Sequence, residues 1–479
     1  MSATLFDKSR PGHPGYRLPA GAPDAAPRLD AAKRRREPAG LPALSELDVM
    51  RHFVALSKLN HSIVSGFYPL GSCTMKYNPV LNEELSRLPG FAASHPDQCA
   101  ETAQGSLELM WRLEEALKAI TGFDAATLQP AAGAQGEFVG MRIARRWHED
   151  RGEARGEVLI PDSAHGTNPA SVVMAGLAVR TVPSDARGLV DLDALAAALG
   201  PGTAAVMLTN PNTLGLFEAD ILRIAELVHG AGALLYMDGA NMNALVGRVR
   251  PADLGFDVMH LNLHKTFSTP HGGGGPGSGP VAVTAALADY LPGLRVRRDG
   301  DRFAAARAPK SIGDVHGRHG NFAMLVRALA YVLHYGGDGL ADVSAGAVLN
   351  ANYLQARLRD LFEVPHDGLC MHEFVASGRP LKKHGVRTLD VAKRLLDFGV
   401  HAPTVYFPLI VPEALMIEPT ETETKESLDH FVDAMARIVR EAETDPELLK
   451  AAPHTTPVGR LDEARAAKEL RVVQPPAED

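Results

Sequence analysis

The sequence predicts an α/β protein built on a mainly parallel sheet, with more than one domain, and two observations lead to this prediction. Short apolar runs alternate with helical segments through the middle of the chain. This alternation is typical of β-α units, in which helices cover both faces of a buried sheet. The chain also has 479 residues, 45% of them hydrophobic and 22% charged. This length exceeds what one core normally holds, so we expect more than one domain.

The elements of the sheet domain follow one another from about residue 107. A helical pattern through LELMWRLEEALKAITG ends at Gly122, and a second helix follows the turn PAAGAQGEF. The predicted strands are the apolar runs VLIP (158–161), AAVMLT (204–209), ALLYMD (233–238), DVMHLNL (257–263) and PVAVT (280–284). Helices are predicted at PASVVMAGLA and ADILRIAELVHGAG, between these strands. Ligands bind at the carboxyl ends of parallel strands, so we expect the functional site in the loops after them.

Three regions are predicted along the chain. Residues 1–95 form an N-terminal arm, a helix between about 44 and 65, and a loop that contains GSCTMK. Residues 96–335 form the large sheet domain. Residues 336–479 form a smaller α+β domain with the helices TLDVAKRLLDFG and SLDHFVDAMARIVREAE, followed by a charged tail.

The bulk properties exclude several classes of protein. The net charge is −8, so the basic run from Lys33 to Arg36 indicates a solvated arm or a subunit contact and not nucleic-acid binding. No apolar run is long enough to span a membrane, and the polar N-terminus lacks the apolar core of a signal peptide. The three cysteines are widely spaced and do not indicate disulfides or a zinc site. We therefore expect a cytoplasmic protein.

Polar side chains follow four of the predicted strands. The loops are DSAHGTNP (162–169), NPNT (210–213), DGAN (238–241) and HKT (264–266). This set suits pyridoxal phosphate, a cofactor that needs a lysine amine for its Schiff base and a carboxylate for its ring nitrogen. It also needs backbone N–H groups at a helix start for its phosphate, and usually an aromatic side chain against its ring.

Each of these needs has a candidate in the sequence. Lys265 can supply the amine, Asp238 the carboxylate and His165 the aromatic plate, and these three are the predicted catalytic residues. The phosphate is expected at the turn before the second helix. The predicted cofactor-binding residues are Lys265, Asp238, His165, His264, Gly133, Ala134, Gln135, Thr209 and Thr266.

Each assignment has an alternative that the sequence leaves open. Lys265 can be a surface lysine, Asp238 a helix cap and His165 a hydrogen-bonded structural residue. The turn AAGAQGE can be a tight connection without a ligand. Two other site types fail in detail: GGGGPGSG lacks the G-K-[ST] of a nucleotide-binding P-loop, and no H-E-x-x-H or C-x-x-C offers a metal site.

Four motifs together resemble one known family. They are GFYPLGSCTMKYNP (66–79), PAAGAQGEF (130–138), MDGANMNA (237–244) and NLHKTFSTPHGGGGPGSGP (262–280). They resemble the pyridoxal-phosphate half of the glycine cleavage system P protein, which is glycine dehydrogenase (decarboxylating), and the resemblance covers about residues 58–423. Family members are one long chain of two halves or two separate subunits, and this chain is similar to the second subunit. It departs from many relatives at Ser268, where they have cysteine.

The resemblance implies a fold, an activity and partners. The fold is the aspartate-aminotransferase type, fold type I of the pyridoxal-phosphate enzymes. The implied activity decarboxylates glycine, releases CO2, and transfers the remaining aminomethyl group to the lipoyl arm of H protein. The implied partners are glycine dehydrogenase subunit 1, in a hetero-oligomer, and the H protein. We expect the glycines after Lys265 to leave room for the lipoyl arm.

The GSCTMK segment is the candidate for glycine recognition. Ser72, Cys73 and Thr74 are small donors, and Lys76 is a candidate for the substrate carboxylate, although the segment can also be a packed interface loop. Two other functions stay open. One is a different fold type I enzyme, such as an amino-acid decarboxylase or a desulfurase that uses Cys370. The other is a scaffold subunit without catalysis.

Overall fold

The computed structural model describes residues 3–10, 12–13, 30–33, 35–37, 39–95, 98–271, 277–366, 368–470 and 472. The chain forms two compact units, one of residues 1–62 with 455–479 and one of residues 63–454. The first unit contains the helices α1 (Glu46–Ser57) and α13 (Glu463–Lys468). Ser45 begins α1 by accepting the N–H of Asp48 at its side-chain oxygen, and this helix confirms the first half of the predicted one. Most of residues 1–40 lie outside the described residues, so the predicted arm stays a prediction.

The large sheet of the second unit is seven-stranded, with order β1-β7-β6-β5-β4-β2-β3. Its strands are β1 (Ala125–Thr127), β2 (Glu157–Pro161), β3 (Ala178–Val182), β4 (Thr203–Thr209), β5 (Leu234–Gly239), β6 (Val258–Leu261) and β7 (Val281–Val283). The strands β3, β2, β4, β5 and β6 are parallel, and β7 runs antiparallel to both of its neighbours. The five predicted strands are confirmed, and β1 and β3 are additional because they are too short or too exposed to stand out.

Helices cover both faces of this sheet. They are α4 (Gln104–Thr121), α5 (Gly133–Asp150), α6 (Thr167–Met174), α7 (Leu192–Ala198), α8 (Ile221–Gly230) and α9 (Phe322–Leu358), with the shorter α2 (Val80–Ser86) and α3 (Pro89–Ala92) before them. A hairpin of β8 (Leu294–Asp299) and β9 (Arg302–Arg307) packs beside α4. As predicted, α4 ends at Gly122, whose φ of 81° ends the helix in the left-handed region that glycine adopts without strain. The α/β fold class with a mixed, mostly parallel sheet is confirmed.

A second, antiparallel sheet lies in the same unit. Its strands are β10 (Phe374–Ser377), β11 (Thr404–Val405) and β12 (Ala414–Ile417), in the order β10-β12-β11. The helices α10 (Thr388–Leu395), α11 (Lys425–Thr444) and α12 (Pro446–Ala451) pack with it around a core of their own. The first two confirm the predicted C-terminal helices.

The helix α9 belongs to both cores of the second unit. Its first part packs in the core of the large sheet as far as Val343, and from Ala351 onward it packs in the core of the small sheet. It is broken at Gly336, where φ is 61°. The predicted divisions at residues 95/96 and 335/336 stay predictions. Within the residues described here, no helix has the length and apolarity to cross a membrane.

Candidate active site

Four neighbouring strands bring the predicted site loops to one edge of the large sheet. The strands β6, β5, β4 and β2 are parallel neighbours, so their carboxyl ends lie together. In this register Thr209 lies beside Asp238, and Asp238 lies beside His260. The strand assignments made from sequence therefore predict the right neighbourhood for the polar loops.

Lys265 lies in the turn that follows β6. Its N–H donates to the carbonyl of Asn262 at 3.0 Å, and its own carbonyl accepts the N–H of Ser268 at 3.2 Å. The side chain is half-buried, and its Nζ has no hydrogen-bond or ion-pair partner among the residues that the structure describes. Burial is the largest influence on the pKa of seven surrounding groups, and the positive charge of Lys265 adds a lowering contribution to each. They are Cys73, Asp238, His264, His271, His372, Glu373 and Glu418. An amine in these surroundings, without a partner of its own, is available for covalent chemistry.

Asp238 is a buried carboxylate that its neighbours keep ionised. Its oxygens accept the side-chain N–H of Asn168 at 2.8 Å and the backbone N–H of Ala240 at 2.9 Å, and His260 Nε2 lies 3.2 Å away. Burial raises the pKa of Asp238, but His260, the Asn168 hydrogen bond and the charge of Lys265 outweigh burial and lower this pKa overall. A carboxylate that remains charged in a buried site suits the protonated nitrogen of a heteroaromatic ring.

The orientation of His260 follows from a contact with Tyr236. Its Nδ1 lies 2.6 Å from the hydroxyl oxygen of Tyr236, and burial raises the pKa of that hydroxyl, so it stays protonated. The other ring nitrogen of His260, Nε2, lies 3.2 Å from Asp238 Oδ1. Asn168 and His260 were missed as site residues, although both stand in the sequence runs that identify the strand ends. Nothing in the sequence shows which of these polar residues meet.

The turn before α5 has the geometry of an anion site. The backbone N–H groups of Gly133, Ala134 and Gln135 have no acceptor among the described residues, and Ala132 has extended backbone before the helix. The Gln135 side chain is already used, because its oxygen accepts the N–H of Ala131 at 2.6 Å and its nitrogen donates to the carbonyl of Val315 at 2.5 Å. Gln135 therefore offers its backbone to a ligand, and its side chain braces the turn.

Glycines near the lysine turn pack against this anion site. A Cβ on Gly279 would overlap the carbonyl of Ala132, and one on Gly277 would lie 2.9 Å from the carbonyl oxygen of Ala131. These two glycines therefore allow a close approach between the lysine loop and the turn before α5. Residues 272–276 lie outside the described residues, so the expected room for a lipoyl arm stays a prediction.

His165 follows β2 and is half-buried. Its Nδ1 lies 2.9 Å from the hydroxyl of Thr167 and accepts the Thr167 N–H at 3.2 Å, and its ring meets Phe407 edge-on at 5.5 Å between ring centroids. The Thr167 hydroxyl donates onward to buried Glu137 at 2.8 Å. These contacts hold the imidazole in one orientation, as an aromatic plate requires.

His264 precedes Lys265 and is held in its neutral form. Burial lowers the pKa of His264 to about 3, with smaller contributions from His271 and Lys265. Its Nδ1 lies 3.5 Å from the backbone nitrogen of Ser278. A neutral imidazole can still donate one hydrogen bond to a phosphate oxygen.

Several buried polar atoms in this region have no partner within the described part of the protein. Such atoms are costly to bury unless a ligand or water satisfies them. They are Asn168 Oδ1, Thr209 Oγ1, Asn210 Nδ2, Asn241 Oδ1, Asn262 Oδ1, Thr266 Oγ1 and Ser278 Oγ. Together with the free N–H groups before α5, these atoms fit a polar, phosphate-bearing cofactor between the strand ends and α5.

The GSCTMK loop lies against the small sheet. The N–H of Ser72 donates to Glu373 at 2.7 Å and that of Thr74 donates to Glu418 at 2.9 Å. Lys76 is buried, and its Nζ donates to Asn243, Tyr331 and Glu421 at 2.9, 3.0 and 2.7 Å.

All three donors of Lys76 are thus engaged inside the protein. Although burial opposes its charge, Glu421 raises the pKa of Lys76 overall, so it stays a cation in this network. That Lys76 binds substrate stays a prediction. The contacts point to an anchor between the loop and the large domain instead.

The two cysteines with sequence-based roles are poor nucleophiles here. Burial raises the pKa of the Cys73 thiol, and Lys265 offsets only part of this effect. Cys370 is 2% exposed, and burial raises its pKa to about 12. Neither thiol has the lowered pKa of a reactive cysteine, which disfavours a desulfurase.

The comparisons with known proteins agree on one family. The family model described as glycine cleavage system P-protein matches residues 26–304, and that of the glycine dehydrogenase C-terminal domain matches residues 343–454. A curated relative from Chloroherpeton thalassium, described as probable glycine dehydrogenase (decarboxylating) subunit 2, is 54% identical over 99% of this chain and 98% of its own.

Solved structures share the fold. A crystal structure of glycine decarboxylase (P-protein) of the glycine cleavage system, in inhibitor-bound form, has a TM-score of 0.71 at 22% identity, covering 88% of this chain and 94% of its own. A cysteine desulfurase from Escherichia coli has a TM-score of 0.61 at 17% identity, covering 78% of this chain and 95% of its own. The fold type I architecture is therefore confirmed, and the chain belongs to the glycine cleavage system P-protein family.

Proposed function

We propose that this chain is the glycine-decarboxylating subunit of a glycine cleavage system. It binds pyridoxal phosphate at Lys265, releases the carboxylate of glycine as CO2, and passes the remaining aminomethyl group to the lipoyl arm of an H protein. The observation that carries the proposal is the ionised Asp238, held by Asn168 and His260 within the electrostatic reach of Lys265, whose Nζ has no partner among the described residues.

The cofactor, when bound, supplies an electron sink for the electron pair that glycine releases with CO2. The chain supplies the groups around it. Asp238 would hold a proton on the ring nitrogen, and the N–H groups of Gly133, Ala134 and Gln135 would bind the phosphate. The ring of His165 would pack against the cofactor ring. The amine of Lys265 would form the covalent link.

Glycine recognition is assigned to the GSCTMK loop. The hydroxyl of Thr74 is buried next to Glu418, and it can donate a hydrogen bond to a carboxylate. Ser72 and Cys73 stay candidates for the same role beside it.

The partner proteins are proposed from relatives and from chemistry. The curated relatives are described as subunit 2, which implies a first subunit and a hetero-oligomer for this chain as well. Transfer to a lipoyl arm requires H protein. We also propose a cytoplasmic location.

The proposal is tested by trapping and by turnover. The full-length protein with bound cofactor is expected to show an absorption band near the edge of the visible range. Borohydride reduction is expected to abolish this band and to leave the reduced cofactor as a covalent label on Lys265. Lys265→Ala removes the label, and the exposed Lys310→Ala serves as the matched control. With the first subunit and lipoyl H protein, the wild type is expected to release CO2 from carboxyl-labelled glycine.

Two results would overturn this assignment. Trapping of the cofactor on another lysine in Lys265→Ala would show that the cofactor site is wrong. Turnover of cysteine without any turnover of glycine would show that the chain is a different fold type I enzyme.

A further inference from the structure

Two buried glutamates lie side by side at the end of the small sheet. Glu373 comes directly before β10, and Glu418 comes directly after β12. Because Phe374 and Ile417 are partners in this antiparallel pair, the two glutamates are brought together. Both are 0% exposed, and with His372 they place ligand atoms within 4.8 Å of one another. Two carboxyl groups this close in a buried site cannot both ionise without a large cost.

Both glutamates bind the backbone of the GSCTMK loop. The loop first docks on β12 through a bridge between Leu70 and Ile417 and through the Gly71 N–H, which donates to Met416. The next hydrogen bonds go to carboxyl groups, since Glu373 Oε2 accepts from Ser72 N and Glu418 Oε2 from Thr74 N. Beyond the end of β12, the two glutamate side chains therefore accept the loop N–H groups that the strand backbone cannot reach.

The loop needs these acceptors because its backbone is strained. Ser72 has φ of 64° and Thr74 has φ of 45°, a left-handed conformation that non-glycine residues rarely adopt. Strained residues of this kind persist only where their surroundings hold them, and they cluster at functional sites. Here the holding contacts are the two glutamates, whose own positions follow from β10 and β12.

The lysine turn faces the same pair. The charge of Lys265 acts on both carboxyl groups. Glu373 Oε1 also accepts Asn241 Nδ2 at 3.2 Å, whereas Glu418 Oε1 has no hydrogen-bond partner in the described residues and lies 3.8 Å from His372 Nε2. The loop, the two carboxyl groups and the lysine therefore form one connected cluster.

We propose that Glu373 and Glu418 are positioning residues that clamp the GSCTMK loop next to Lys265, and that the pair does so while sharing at least one proton. The clamp stands on the loop geometry, and only its purpose, to order the glycine-binding loop, rests on the proposed function. Burial, and then the charge of Glu418, raise the pKa of Glu373 well above its usual range. Burial raises the pKa of Glu418 to about 7.

The groups that face this pair set the direction of its pH dependence. They are Cys73 from the loop, Lys265 from its turn, His372 beside β10 and Glu421 beyond β12. Burial lowers the pKa of His372 to about 3, so it stays neutral and brings no charge at neutral pH. Raising the pH above about 7 therefore ionises Glu418 while Glu373 keeps its proton. Because a carboxylate accepts the Thr74 N–H more strongly than a protonated carboxyl group does, the clamp tightens at Thr74.

The test is hydrogen exchange at the loop, measured by mass spectrometry on the full-length protein as purified with its cofactor. The amides of Ser72 and Thr74 report the two hydrogen bonds directly, after correction for the intrinsic pH dependence of exchange. Glu373→Ala and Glu418→Ala are expected to lower their protection on the order of tenfold, as loss of a buried hydrogen-bond acceptor predicts. Glu363→Gln, which removes a half-buried carboxylate paired with Arg379, is the control and leaves protection unchanged.

The isosteric variants separate the shared proton from a structural role. Glu373→Gln and Glu418→Gln keep an acceptor oxygen, so both are expected to retain protection at pH 6. Wild-type protection at Thr74 is expected to rise as the pH rises from 6 to 8, and Glu418→Gln is expected to remove this rise.

Three outcomes would overturn the inference. One is unchanged protection in both alanine variants, and another is a pH profile in Glu418→Gln that matches the wild type. The third is loss of protection on adding EDTA, which would show that a metal ion holds the cluster. Exchange does not depend on turnover, so an intact clamp in a chain that fails to decarboxylate glycine would count against the proposed function alone.

Discussion

The charge of Asp238 can be removed without changing its shape, by the substitution Asp238→Asn. The carboxylate accepts hydrogen bonds from Asn168 and from the backbone of Ala240, and it lies 3.2 Å from His260 Nε2. Asparagine has one oxygen, so at least one of these donors loses its acceptor. An unpaired buried donor costs about 1–3 kcal/mol, and we expect the free energy of unfolding to fall by this amount.

The same substitution removes the counter-ion of the cofactor ring. A hydrogen bond to a charged group contributes about 1.5–3 kcal/mol, which corresponds to roughly a tenfold to hundredfold change in rate. Glycine–bicarbonate exchange, measured with the first subunit and lipoyl H protein, is expected to fall by this factor. Urea denaturation measures the loss of stability separately, so an unfolded variant is not mistaken for an inactive one.

The matched control is Asp162→Asn. Asp162 also follows the end of a strand at this edge of the sheet, but it is exposed and its carboxylate accepts from the hydroxyl of Ser184. We expect exchange and stability close to those of the wild type. If Asp238→Asn kept the exchange activity of the control, the assignment of Asp238 to the ring nitrogen would be refuted.

Three further predictions concern packing and charge around the site. Gly279→Ala is expected to weaken cofactor binding about tenfold or more, since overpacking costs about 1–3 kcal/mol. The control Gly200→Ala has open space around the added methyl group. It is expected to bind the cofactor like the wild type when the cofactor is titrated in an absorbance assay. Lys76→Met is expected to lower the free energy of unfolding by about 3 kcal/mol in urea, because it leaves Glu421 without its cation; a loss below about 1 kcal/mol would contradict the buried network. Burial raises the folded-state pKa of Glu418 from 4.5 to about 7, so the contribution of its proton to the free energy of unfolding is full below pH 4.5 and is lost as the pH rises to 7. The free energy of unfolding of Glu418→Gln is expected to lack this decline with pH. An identical decline in the variant would contradict the shift.

The strand predictions are confirmed for the strands whose burial shows in the sequence as an apolar run. The runs in β4 and β5 are apolar from end to end because both faces of a parallel sheet are covered, and such runs stand out in a sequence. β3 was missed because AVRTV mixes charge with apolar residues at the edge of the sheet, where three of its five residues are exposed. Edge strands lack this signal, since only part of each is buried.

The site residues divide in the same way. Lys265 and Asp238 are identifiable because each follows an apolar strand, and parallel strands bring such positions to one edge. Gln135 is predicted at the phosphate site through the turn before α5, and only the structure shows that its side chain braces this turn. Sequence spacing places a residue near a site, but the direction of its side chain depends on neighbours that are distant in the chain.

The sequence by itself determined the fold class, the edge of the sheet that carries the site, and the family, because periodicity and short motifs are local properties of the chain. Only the tertiary structure decided that Asn168 and His260 keep Asp238 ionised, and that Lys76 is already engaged. It also decided that Glu373 and Glu418, which lie 301 and 344 residues further along the chain, hold Ser72 and Thr74 in left-handed conformations. These contacts join distant segments, and no local pattern encodes which buried donor meets which acceptor.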